Sequence, residues 1–385
     1  MLSQPNRRDV LKGTALACAG QFAFLRALPA LSAQEVQNPA RAMVHLSPDI
    51  EPLVRLIEDT QRERLLDVVA EQVRGGTNYQ QLLSAVMLAG VRGIRPRPVG
   101  FKFHAVLVVN SAHLAAQAAR DQDRWLPLFW AIDNYKVSQA RNRQEGDWVM
   151  PPVEEGQLPS AAQAAQRFRE AIDNWDETGA DRAVAALTRT AGANDIYEMF
   201  WRYGARDFRD IGHKAIFAAN SYRTLQTIGW RHAEPILRSL AFAILEHEGT
   251  NPAQRDAEAD RPFRDNLGRA ARIRADWQRG RIEREATSDF LGTLRTANWA
   301  GAGDRVVAML NDQIDPACLW DALFLCAGEL LMRQPGIVGI HTVTSTNALH
   351  FAYQHSANDE TRRLMLLQAA AFLTMFRANM AGRPG

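Results

Sequence analysis

Apolar positions recur every three or four residues along 51–73, 79–91, 182–188, 237–246 and 362–377, the period of one face of an α-helix. Runs alternating apolar and polar with period two, the mark of a half-buried strand, are nearly absent. The pattern predicts an all-α fold. Two polar, proline-bearing stretches, 143–160 and 249–262, predict loops between helical blocks. An apolar stretch at 13–25 is too short to be a stable bilayer anchor. Beyond it no apolar run approaches about 18 residues, so no membrane span is expected in the rest of the chain.

Three segments share one layout. Each carries a histidine followed by an asparagine six or seven residues later: His104 and Asn110, His213 and Asn220, His341 and Asn347. An apolar helical stretch with a glycine near its end precedes each pair (Gly90, Gly204, Gly328), and a second apolar stretch follows at 125–136, 235–247 and 362–377. The layout predicts three degenerate copies of helix, His-bearing helix, helix, with units over about 79–140, 195–248 and 318–377 inside one large all-α domain spanning 34–385.

The N-terminus changes where that domain is expected to work. Asn6, Arg7, Arg8, Asp9, Val10, Leu11 and Lys12 follow the twin-arginine pattern. The apolar stretch comes next, then small residues around Ala30 and Ala33 that a signal peptidase could cut. A signal peptide over 1–33 is therefore expected, with the twin-arginine export machinery as partner and an extracytoplasmic, in many cells periplasmic, location. That route carries folded proteins, often with a cofactor already inserted. The formal charge of +2 includes a net +3 from the signal, leaving the remainder near −1, and that balance argues against nucleic acid as a partner.

Cys318 and Cys326 lie eight residues apart in one apolar run, which helical geometry places about 12 Å apart, too far to bridge. Buried free thiols are expected. Lys12, Lys102, Lys136 and Lys214 are the only lysines among 45 lysines and arginines. Three of them sit inside the repeats, and lysine, unlike arginine, can lose its proton when buried.

No compact catalytic signature such as HExxH, a phosphate loop or G-x-S-x-G occurs. Any site must therefore be assembled from distant helices, as helix bundles assemble metal centres. Imidazole suits iron, copper and zinc. Residues nine apart in a helix point about 180° apart, so His104 and His113 cannot face one site, nor can His341 and His350. The first histidine of each segment, His104, His213 and His341, is the expected metal ligand for a divalent metal, iron first, with copper and zinc as alternatives. His247 is a fourth candidate ligand, and Lys136 a candidate catalytic base or carbamate. For His247 and Lys136, helix C-terminal capping is the competing explanation. His232 and Glu234 read as helix-start residues, and Glu329 as half of a salt bridge to Arg333. Trp125, Trp130, Phe217, Tyr222, Trp230, Phe351 and Tyr353 cluster beside the repeats and predict an aromatic-lined cavity for a small organic substrate.

The pairs Phe103 and His104, Gly212 and His213, and Ile340 to Thr342, together with the closing apolar segment from Leu364 to Phe372, resemble the questin-oxidase-like family over most of the chain from about Phe101 onward. The resemblance implies an all-helical oxygenase with histidine-bound non-haem iron and an aromatic or quinone-like substrate. An exported metal-dependent oxidoreductase is the leading expectation. The alternative is a non-enzymatic helical-repeat binding or scaffold protein, whose histidines and asparagines are structural.

Overall fold

The expected signal peptide lies outside the residues described by the computed structural model, which are 43–97 and 100–380. Those from Val44 onward cluster into one unit. Among the described residues there are sixteen α-helices and no strand; the one β-bridge joins Arg281 and Ile314. In chain order they are α1 (Glu51–Asp59), α2 (Arg62–Arg74), α3 (Tyr79–Gly93), α4 (His104–Ala118), α5 (Leu126–Gln144), α6 (Ala161–Asn174), α7 (Glu177–Thr190), α8 (Ala193–Gly204), α9 (His213–Ile228), α10 (Ala233–Leu245), α11 (Arg261–Arg272), α12 (Arg284–Thr296), α13 (Trp299–Asn311), α14 (Pro316–Arg333), α15 (Ile337–His355) and α16 (Asp359–Met380). The all-α expectation holds, and the two predicted loops fall between α5 and α6 and between α10 and α11.

Local chemistry explains where these helices start. Asn78 and Gln81 form a reciprocal capping box at α3. Proline occupies the first turn of α5 and of α14, where its missing N–H costs nothing. The Asp315 carboxylate accepts the Ala317 N–H at 2.8 Å, capping α14. The stretch 51–73 is two helices rather than one. Thr60 turns to an extended conformation after α1, and its hydroxyl bonds the Leu56 carbonyl at 2.6 Å.

Two helices form the centre of the bundle. α16 is buried almost continuously from Leu364 to Phe376 and packs against α15, α13, α11, α14, α8 and α12. Such all-round apolar character belongs to a core helix. α9 is packed by α15, α8, α10, α4 and α3, and so carries His213 between the two other histidine-bearing helices. Gly90 lets α3 approach α4 closely: a Cβ there would meet Val106 Cγ2 at 2.8 Å. Cys318 and Cys326 are buried and free. Glu329 pairs with Arg333 and with Arg295, the latter at 2.9 Å. Among the described residues no helix is long and apolar enough to cross a membrane.

Candidate metal centre

His104 and His213 are the first residues of α4 and α9, and His341 is the fifth of α15. The chain before α9 is shaped to deliver His213. Ile211 and Gly212 both take left-handed backbone conformations, at φ 45° and 84°. For a β-branched residue such as Ile211 this is a strained conformation, of the kind found at functional sites. The Asp210 carbonyl then accepts both the backbone N–H of His213, at 2.9 Å, and its ring Nδ1–H, at 2.6 Å.

All three imidazoles are held the same way. His104 Nδ1 lies 3.2 Å from the Gly100 carbonyl, and His341 Nδ1 bonds the Ile337 carbonyl. A carbonyl oxygen only accepts, so each Nδ1 must carry the proton. This assigns the tautomer and leaves each Nε2 as a bare lone pair. Those lone pairs converge. His213 Nε2 stands 3.2 Å from His104 Nε2 and 2.9 Å from His341 Nε2, and the three ligand atoms lie within 4.8 Å of one another.

Two lone pairs at such separations repel unless a cation lies between them. A proton on His213 would serve, but burial, then the neighbouring His341, pushes its pKa down to about 3. Burial also lowers that of His341. The N-terminal ends of α4 and α9 further disfavour a protonated ring at their first residues. At neutral pH a metal ion is what the donor set fits. With metal–nitrogen bonds of about 2.0–2.1 Å, nitrogens spaced by about 2.9 to 3.4 Å correspond to ligand angles between octahedral and tetrahedral.

The centre opens into a cavity of about 540 Å³. Its walls are aliphatic, including Leu107, Leu114, Ile216, Ile340 and Val343. Asn110, Asn220 and Asn347, the asparagines at matching offsets from the three histidines, all line it, together with Arg223. The expected aromatic lining is not found: of the seven aromatics named from sequence none lines the cavity, and Phe101 is the aromatic that does. Helical phase explains Tyr222, which is nine residues after His213 and so on the opposite side of α9. There it packs with Tyr197, Trp201 and Phe351. Phe217 is core, and Trp130 is exposed on the surface.

Two candidates stand elsewhere. His247 bonds the Leu245 carbonyl at 2.9 Å through Nδ1 and packs edge-on against Trp175. It is not among the converging histidines. Lys136 donates to the Ile57 and Glu58 carbonyls and to Gln139 Oε1 at 3.2, 2.9 and 2.7 Å. Two of the ammonium protons thereby cap the end of α1 and the third goes to Gln139 on its own helix, although burial lowers its pKa to about 8. That leaves no lone pair for base or carbamate chemistry, and Lys136 does not line the histidine cavity. A compact tripod of donors also explains why lysine stands here in an arginine-rich chain. Lys214 repeats the pattern, bonding Asp207 and the Glu246 carbonyl at 3.0 Å each. Lys136→Met is expected to lower unfolding stability by about 1–3 kcal/mol, read from the denaturation midpoint, with metal content unchanged. Loss of metal in that variant would return Lys136 to the site.

His113 and His350 face away from the centre, as helical phase requires. His113 meets the Tyr79 hydroxyl at 3.2 Å, and His350 packs among Trp320, Phe324 and Tyr353. The site residue that sequence reasoning missed is Arg223. It occupies the repeat position of His113 and His350, and nothing in the pattern marks it as facing the cavity. Compared with protein-family models, curated proteins and solved structures, the chain matches none.

Proposed function

We propose that this protein is an exported, metal-dependent oxidoreductase of the oxygenase type, acting on a largely apolar organic molecule held over a three-histidine centre. The observation that carries the reading is the convergence of three Nε2 lone pairs, each ring locked by a backbone carbonyl. Three neutral nitrogen donors suit iron, copper or zinc rather than magnesium or calcium. A metal there would supply redox or Lewis-acid activation at positions open toward the cavity. The protein's own contribution is to hold the rings rigidly, exclude water with aliphatic walls, and orient the substrate.

Redox chemistry is favoured over hydrolysis by what the lining lacks. Beyond the three ligands and Arg223, none of the described lining residues titrates, so no side chain is placed to serve a leaving group as general acid or base. The scaffold alternative would need histidines satisfied by hydrogen bonds at both nitrogens, and here only Nδ1 is so satisfied. The resemblance to the questin-oxidase-like family points the same way.

Elemental analysis combined with electron paramagnetic resonance of oxidised and reduced protein tests the reading. About one iron or copper per chain, with a signal that interconverts on reduction, is expected. A full complement of zinc, silent in both states, would contradict the oxidoreductase reading. Export is tested separately: changing Arg7 and Arg8 both to lysine should leave folded, metal-loaded protein in the cytoplasm, and unaltered export would remove the twin-arginine assignment.

A further inference from the structure

The histidine cavity is also lined by a cationic side chain, Arg223. It lies half-buried on α9. Its guanidinium donates to Asn220 Oδ1 at 3.2 Å and Asn347 Oδ1 at 3.0 Å, and stacks over the Phe351 ring with its centre 4.0 Å away. Asn220 is itself oriented, donating through Nδ2 to the Leu107 carbonyl at 3.1 Å. The cation is therefore fixed by neutral partners on two helices and by one aromatic face.

What it lacks is a counter-ion. Among the described residues no Asp or Glu lines the cavity, and Arg223 forms no salt bridge with any of them. Most other described arginines behave differently: Arg92 is paired with Glu51 and Glu58, Arg238 with Asp181, Arg209 with Asp260. Removing a guanidinium from water without a carboxylate is costly, and an anionic ligand at Arg223 would offset that cost. The amide oxygens occupy part of the donor fork. The remaining N–H groups are available to an anion, which a guanidinium can bind in a forked, charge-assisted way.

We infer that Arg223, oriented by Asn220 and Asn347, is the anion-binding end of the substrate site, and that the substrate is an elongated, mostly apolar carboxylate or similar oxyanion. The inference deepens the proposed function and rests on it for the position of the reacting end. Asn220 follows His213 by seven residues and Asn347 follows His341 by six, so the guanidinium lies roughly 9–10 Å along the helices from the histidines. A molecule anchored at Arg223 must span about that distance to bring a carbon over the metal, the length of two fused rings or a comparable chain. The aliphatic walls between the two ends fit such an apolar body.

The probes are naphthalene carboxylate and its neutral carboxamide, titrated by fluorescence into the full-length exported protein as isolated and again after metal removal. The carboxylate should bind roughly 10–100-fold more tightly than the carboxamide, with and without metal. Arg223→Gln should bring the two ligands within about twofold while metal content stays at the wild-type level. Asn347→Asp keeps the arginine but hands it a carboxylate, and should abolish the preference equally, which covers the case in which Arg223→Gln does not fold. Equal affinities in the wild type, or a preference that survives both variants, would overturn the inference. So would a preference that vanishes on metal removal yet survives in Arg223→Gln, because the carboxylate would then be a metal ligand. A chain that binds no metal but keeps the Arg223-dependent preference would overturn the metal reading alone.

Discussion

In a His213→Ala variant, metal content is expected to fall from about one ion per chain to less than about a tenth of that, with the helical fold intact. His213 is the middle member of the three-histidine cluster. Its Nε2 faces both of the others, at 3.2 and 2.9 Å, so removing it leaves His104 and His341 as a separated pair, whereas losing either outer histidine leaves two adjacent donors. His104→Ala and His341→Ala should therefore retain weak, readily chelated metal that His213→Ala does not. A second readout separates a ligand from a buried structural histidine. Truncating a buried, fully satisfied side chain normally costs about 1–3 kcal/mol. In metal-free protein, removing His213 also removes two repulsive lone-pair contacts. Metal-free His213→Ala should lose clearly less stability than that, measured by chemical denaturation, while the metal-loaded wild type is the most stable form of all. If the variant keeps its metal, the centre is elsewhere.

The second large effect is expected at a residue that touches no metal. Gly212 has φ of 84°, and a Cβ there would lie 2.4 Å from Ser345 Cβ on α15. The close approach of the α9 N-terminus to α15 is what brings His213 and His341 together. Gly212→Ala adds a clash to a backbone strain of about 1–3 kcal/mol, and overpacking adds a similar amount. A loss of about 2–4 kcal/mol in stability is expected, together with a fall in metal affinity of about tenfold or more, since small displacements of a ligand's support cost that much. Pairing it with Ser345→Gly should recover part of the metal affinity by relieving the clash, but not the strain from φ. Normal metal binding in Gly212→Ala would show that the helix approach does not set the ligand geometry.

These two residues also show what a sequence can disclose about such a site. Helical periodicity was sufficient for the fold class because stretches such as 51–73, 79–91 and 237–246 repeat apolar residues at helical spacing and strand-like alternation is nearly absent. It did not mark α6 and α11, whose few buried residues, such as Ala164 and Phe168 in α6 and Phe263 and Ala270 in α11, are set among alanine, arginine and other polar residues. The three histidines were legible because each stands at the same place in a repeating layout, and helical phase excluded His113 and His350. The matching asparagines were visible too, yet only the packing of α4, α9 and α15 shows that they share one cavity. Arg223 and the aliphatic walls depend on how helices distant in sequence meet, which no local pattern encodes. The aromatics misled because proximity in sequence says nothing of phase: Tyr222 sits beside Arg223 and faces away from the histidines. Lys136 was read as ending a helical stretch, but it lies inside α5 and caps the end of α1, while His247 follows the end of α10 and bonds the Leu245 carbonyl.

Crystals of the protein purified from its metal-replete native host, with anomalous scattering recorded at the metal edges, test the central claim most directly. One transition-metal ion bonded at about 2.0–2.1 Å to Nε2 of His104, His213 and His341 is the predicted result. A cluster without metal, or an ion held by other residues while these three imidazoles remain uncoordinated, would contradict it.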